Sequence, residues 1–499
     1  MALQINRQTL EIEDLVGTKY VQALVRAEAL VPGAGREAIE PLMAEASLYV
    51  SGTDLQTDRV VIEGTVSCQG VYRQGEETIV KALAAKTSLN QVIEIPGTTA
   101  GMLSRVCAEV EHVESRYENG HMIFLVTCGI KTWVMNLSPV EVIQSVSGVD
   151  GLQTVYQKLC SVKLAAEASE MVLLKEKVAL PTALDARTSL MDWANADIEE
   201  SVPDLGGVRI KGKVLVETLV ASGVAGRPAV LVRYPMGFDQ LVEIPEWLTE
   251  NVFADAEIRS VRSQVEQAEE GEDAYLVCEA EVKFSLTANT EDCSDALTDI
   301  YATQGKHLEA RRYGVDLCVS AQRTGVTETV RGTVLIGENA PGVGTVIATR
   351  ARPVIGEWAN ENGRGRIDGI IEASVLYMPG GSDMAASAKS ELPFSISVPV
   401  ALSDDACIRM QVISAEANAL MSDRLEMKIQ MNIAVETRKR ENYEIVQSVE
   451  EGAEIIRKPG IVIFWPEDGE NAWNVGKRYG VMTDAVSEIK PGKPVILKI

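Results

Sequence analysis

The sequence predicts a mainly β protein with short helices: three tandem β-rich domains followed by a small βααβ module. One stretch, VVIEGTVSCQGVY at residues 60–72, recurs as VRIKGKVLVETLV at 208–220 and as RIDGIIEASVLY at 366–377. In each copy an Ile-x-Gly (Ile62 and Gly64, Ile210 and Gly212, Ile367 and Gly369) sits among apolar and polar residues that alternate with the period of a half-buried strand. A second mark is a strand-terminal proline (Pro96, Pro245, Pro399), which follows the isoleucine by 34, 35 and 32 residues. The copies stand 148 and 157 residues apart (Gly64 to Gly212, Gly212 to Gly369), too far for a solenoid and right for separate domains strung like beads.

These marks place domains at 1–146, 152–298 and 305–440 and the terminal module at 458–499. In the first domain, VQALVRAEALVPG reads as a strand that turns at Pro32 and Gly33. Next, REAIEPLMAEA sets Ile39, Leu42, Met43 and Ala46 at helical spacing, which predicts a short one-sided helix. The Ile-x-Gly strand follows. Its glycine falls on the apolar face, where it weakens a strand unless another backbone packs close, so it reads as a packing residue. A further strand ends at VIEIPG, and a hairpin turning at Asn119-Gly120 closes the domain.

The second domain repeats the helix as ALPTALDARTSLMDWANA, with Leu190, Trp193 and Ala194 spaced alike, and its hairpin tip falls at Glu269 to Asp273. In the third, ENAPGVGTVIATRARPVIGEW leaves room for one helical turn, and the hairpin turns at Met421 to Arg424. The closing strands AYLVCEAEVKFSL and LEMKIQMNIAV each present a full apolar face. Ser147 to Gly151, Thr287 to Asp299 and Glu436 to Gly460 read as connectors.

A net charge of −25 argues against a phosphate backbone as partner, since nucleic-acid binding is driven by Lys and Arg displacing counterions. No apolar run reaches the roughly 18 to 20 residues that cross a bilayer, and the first residues lack an export pattern, so a cytoplasmic protein is expected. The eight cysteines are scattered without a Cys-x-x-Cys pair, which predicts free, buried thiols in a reducing compartment.

Catalysis is not expected. The chain has only His112, His121 and His307; His112 reads as a structural strand residue and His121 as an exposed hairpin residue. The glycine-rich run at 337–345 imitates a phosphate loop but has Val343 where the lysine belongs. Glu109, Glu111 and Glu114 read as a solvated strand face. Neither a cofactor nor a metal is called for.

The threefold set of turn, short helix, Ile-x-Gly strand, Ile-x-Ile-Pro and closing hairpin resembles the SPOCS domain of clostridial sporulation proteins, over about residues 20 to 440 and most weakly in the third copy. The tail, PEDGENAWNVGKRYGVMTDAVSEIKPGKPVILKI, looks like a LysM module. Gly469, Trp473, Lys477, Tyr479, Pro491 and Gly492 stand where that family's pattern has them. Glu470-Asn471 replaces the usual Asp-Thr, and a short loop at Ile489 lacks the usual Asn, which removes hydrogen-bonding groups for an N-acetyl sugar.

SPOCS-like domains followed by a LysM-like module imply a non-enzymatic scaffold of spore-coat morphogenesis, on the mother-cell side of the forming spore. The tail would dock the coat-base ATPase or another coat protein. The other reading is a peptidoglycan binder acting through the same residues. Residues 458–499 carry six basic and five acidic side chains, so the tail is near +1 and the rest near −26, a contrast that steers acidic partners to this end.

Overall fold

A long strand, β1 (Gln4–Leu30), leads into a meander of β2 (Ile39–Gln56), β3 (Arg59–Gln74) and β4 (Lys81–Glu94), and a hairpin of β5 (Leu103–Glu118) and β6 (His121–Ser147) follows. β6 pairs antiparallel with both β5 and β1, so the sheets β2-β3-β4 and β1-β6-β5 enclose one apolar cluster as a sandwich. The order recurs in β7 (Leu152–Leu180), β8 (Ala186–Asp204), β9 (Gly207–Ser222), β10 (Ala229–Glu243), β11 (Val252–Glu266) and β12 (Ala274–Ala302). It recurs again in β13 (Lys306–Leu335), β14 (Val343–Glu361), β15 (Arg364–Pro379), β16 (Ala386–Val398), β17 (Cys407–Met421) and β18 (Arg424–Glu454). This computed structural model describes residues 1–499 except 1, 2, 34, 36, 37, 249, 250, 268–272, 338, 339, 457–459, 468, 487, 488, 491, 492 and 499. Strands make up 78% and helices 4%, so the chain is mainly β.

The Ile-x-Gly strands are β3, β9 and β15, each at the centre of its meander. The closing strands bury the faces their alternation marks: Leu276, Cys278, Ala280, Val282, Phe284 and Leu286 in β12, and Leu425 through Val435 at every second position in β18. Asn119 and Gly120 turn with φ of 50° and 85°. The tip expected at Glu269–Asp273 lies, apart from Asp273, outside the described residues.

The pre-strand helices are strands instead. Ile39 to Ala46 lie in β2, Leu190 to Ala194 in β8, and 343–358 of the third stretch in β14. Bulges interrupt these strands at Pro41/Met43, at Ala186/Ser189 and Ser189/Met191, and at Val346/Ala348. A bulge puts an extra residue on one strand, so burial runs through Leu42, Met43 and Ala44, and through Leu190, Met191, Asp192 and Trp193, without alternating. That broken period imitates a helical stripe. Leu42, Met43, Leu190, Met191 and Trp193 leave their own sandwiches and join Leu376 and Met378 in a cluster where all three meanders meet.

Two expected connectors are strands as well: 287–299 lies within β12, and 436–454 within β18. The long strands overrun their sandwiches. Near their far ends β6, β12 and β18 each bulge, at Gln144, Thr298 and Gln447. Just before the bulge stands a buried doublet: Val142-Ile143, Ala296-Leu297, Ile445-Val446. The first members pack with Leu10, Leu159 and Leu317; the second pack with Val146, Ile300 and Val449. The sandwiches therefore share apolar cores and are not beads on a string.

A buried ion pair sits at the same junction. Glu13 of β1 is fully buried and pairs with Arg438 of β18, while its other oxygen accepts the Leu164 N–H of β7 at 3.2 Å. Arg440 donates to the Glu13 carbonyl at 2.7 Å. Burial alone would lower the Arg438 pKa, but the Glu13 carboxylate holds it above its ordinary value.

The cysteine expectation holds for Cys68, Cys128 and Cys278, which are free and buried, and fails for one pair. Cys160 and Cys293 stand directly opposite across β7 and β12 and are joined by a disulfide. Sequence spacing of 133 residues hides a pairing that antiparallel register creates.

Candidate docking site

After β18 the tail forms its own small core. β19 (Ile461–Phe464) pairs antiparallel with β20 (Val495–Lys498), and α1 (Ala472–Tyr479) packs on this two-stranded sheet through Val475, with Val462, Phe464, Val481, Val486, Val495 and Leu497. Asn471 caps α1 by accepting the Asn474 N–H at 2.9 Å, and Gly480 ends it in the left-handed region. The expected second helix is a single 3₁₀ turn, Thr483–Ala485, so the described order is β, α, 3₁₀, β.

The candidate residues separate into two groups. Tyr479 and Ile489 pack into the tail's core, with the Tyr479 ring 5.4 Å from that of Phe464. Glu470 accepts the Glu467 N–H at 3.0 Å and pairs with Arg478; that backbone hydrogen bond and then the guanidinium hold its carboxyl below the usual range. Gly469 takes φ of 89° in the turn before α1. Trp473 and Lys477 point away, onto the body. The Trp473 indole N–H donates to Asp299 of β12 at 2.8 Å, Lys477 pairs with the same carboxylate, and the indole meets the Tyr301 ring edge-on at 4.8 Å. Tyr301 donates to the Val481 carbonyl at 2.9 Å, and Gln153 accepts the Thr483 N–H at 3.1 Å. Pro491 and Gly492 lie outside the described residues.

Sequence reasoning missed Asp299 and Tyr301 because the first ends the stretch read as a connector, 287–299, and the second lies just past it, between two expected domains. The signal available was the apolar doublet Ala296-Leu297 ahead of them.

With α1 held against the body, the outer face of β19 and β20 is turned to solvent. Ile461 is 67% exposed, Ile463 55%, Trp465 64% and Ile496 58%, an apolar patch on a two-stranded sheet whose edges are unpaired among the described residues. Among the described residues, neither His112 nor His121 pairs with a Ser or Cys. His112 pairs with Glu372 of β15 at the seam of the first and third sandwiches, and His121 stays at its hairpin turn, bonded to the Asn119 carbonyl.

Residues 39–118, spanning β2 to β5, match the family model described as SipL, SPOCS domain. The chain carries a SPOCS domain. That domain points to a role in sporulation. Neither the comparison with curated proteins nor that with solved structures gave a match.

Within the SPOCS domain, a Cβ on Gly64 would stand 2.7 Å from the Tyr49 carbonyl of the bulged neighbour β2. Outside the matched residues the same surroundings return. Gly212 abuts the Asp197 carbonyl and the Phe238 ring, and Gly369 abuts the Val354 carbonyl and the Phe394 ring. Both carbonyls belong to strands that bulge beside them. Pro96, Pro245 and Pro399 each follow a meander's last strand, β4, β10 and β16. No helix among the described residues is long and apolar enough to cross a membrane.

Proposed function

We propose that the protein is a non-enzymatic scaffold of the spore envelope, in which three SPOCS-like units form a body and a LysM-like tail docks a coat-base ATPase or another coat protein. One observation carries this reading: an apolar sheet face left open on the side of the tail that points away from the body. Ile461, Ile463, Trp465 and Ile496 on that face are the type of residue that anchors a protein interface, and nothing in the tail's own core needs them. Lys498 beside them and the near-neutral tail on an acidic chain favour a partner with negative charge at its rim. Placement on the mother-cell side of the forming spore follows from the resemblance and belongs to this proposal.

The test is co-purification of the full chain with the coat-base ATPase. Ile463→Glu together with Trp465→Glu should abolish capture while leaving the unfolding midpoint unchanged, because both side chains are exposed. Undiminished capture by the double variant would refute docking at this face. Retention on purified peptidoglycan that is lost in Gly469→Trp would favour the glycan reading.

A further inference from the structure

The Cys160 and Cys293 pair has a third neighbour that a plain structural disulfide does not need. Glu291 stands two residues before Cys293 on the same face of β12, and its carboxylate lies with the two sulfurs in a group whose ligand atoms are all within 4.8 Å of one another. All three are partly or fully exposed. We propose that the reduced protein binds one zinc-class divalent cation through Cys160, Cys293 and Glu291. Reduction by a thiol or phosphine reductant adds two electrons and two protons across the S–S bond. The cation then displaces both thiol protons and takes two thiolates and one carboxylate, leaving its fourth position to water.

The donor set fixes the class of ion. Two thiolates select borderline-soft zinc over magnesium or calcium, which want oxygen ligands, and three protein ligands with one open position suit a tetrahedral ion. The two strands hold the donors at fixed register, so little ordering is needed on binding. A chain of net charge −25 also draws cations to its surface. The site lies where the first sandwich meets the second: Lys163, on β7 near Cys160, pairs with Glu11 of β1, and Ser294, next to Cys293, donates to Gln8 at 3.1 Å. A cation there bridges β7 and β12 as the disulfide does.

The experiment titrates the full chain with Zn(II), and with Cd(II) to read thiolate charge-transfer absorption, after reduction with a phosphine. One equivalent is expected to bind to the reduced protein and none to the oxidised protein, whose six other thiols are unchanged. Cys160→Ser should lose that equivalent, and Glu291→Gln should weaken it at least tenfold. Equal binding by the oxidised chain, or full binding by Cys160→Ser or Glu291→Gln, would overturn the assignment. The oxidised wild type serves as the comparison should a cysteine variant fold poorly.

Discussion

Asp299 of β12 accepts the indole N–H of Trp473 at 2.8 Å, so one carboxylate of the body fastens the tail. The contact is mostly polar: beside the edge-on Tyr301–Trp473 pair, no buried apolar cluster among the described residues is common to the tail and the body. Contacts of that kind open reversibly.

Asp299→Ala should therefore free the tail without unfolding it. Amide exchange in α1 and in the strand end around Tyr301 should rise, with the unfolding midpoint of the body moved little. Burial would raise the Asp299 pKa, but its bonds to Lys477 and Trp473 bring it below the ordinary value. A depressed carboxylate contributes at and above its usual pKa and is lost as pH falls through its folded value, so the docked state should loosen only below about pH 4. Exchange in α1 that is the same in wild type and variant would contradict this.

Glu13→Gln should cost about 3–5 kcal/mol, the usual loss when one partner of a buried pair is removed. The variant leaves Arg438, only 3% exposed, without its counter-charge. Denaturant unfolding of Glu13→Gln, and of the double variant with Arg438→Met, measures it; the double variant should recover a large part of the loss.

Alanine at the three glycines should rank by the room each has. Gly212→Ala and Gly369→Ala meet an aromatic ring at 2.7 Å and a carbonyl closer still, whereas Gly64→Ala meets chiefly the Tyr49 carbonyl. Overpacking costs about 1–3 kcal/mol, so the first two should lie at the upper end and Gly64→Ala below them. Thermal midpoints would show the order.

Burial, and then the neighbouring Glu111 carboxylate, raise Glu109 from 4.5 to about 7. The folded chain holds this proton after the unfolded chain has released it, so stability falls as pH rises from 4.5 to about 7, by at most about 1.4 kcal/mol per pH unit. Glu109→Gln should remove this component, seen as a flatter midpoint against pH across that window.

Alternation made the sandwich strands legible, because each inner face is buried and each outer face wet: the runs Leu276 to Leu286 and Leu425 to Val435 could be read at sight. It failed wherever a strand is buried on two sides. Leu42-Met43 and Leu190-Met191 looked helical because a bulge feeds them to a second core, and only tertiary packing distinguishes that from a helical stripe. The far ends of β12 and β18 looked like linkers because their polar residues are plentiful. The near-repeat EVIQSVS at 141–147 and EIVQSVE at 444–450 was the trace of the shared cores. Of the tail residues, Trp473 and Lys477 could be singled out, but their partner Asp299 is 174 residues from Trp473, and nothing local announces it.

The pairing of Glu13 with Arg438 spans nearly the whole chain, and it sets an order of events during synthesis. While the ribosome is still making β18, the nascent first sandwich holds the Glu13 carboxylate without Arg438, so this part of β1 must stay wet or take up a proton. The body seals only when its last long strand arrives, and a product cut short before that point would expose the apolar doublets of β6 and β12 to whatever else the cell contains.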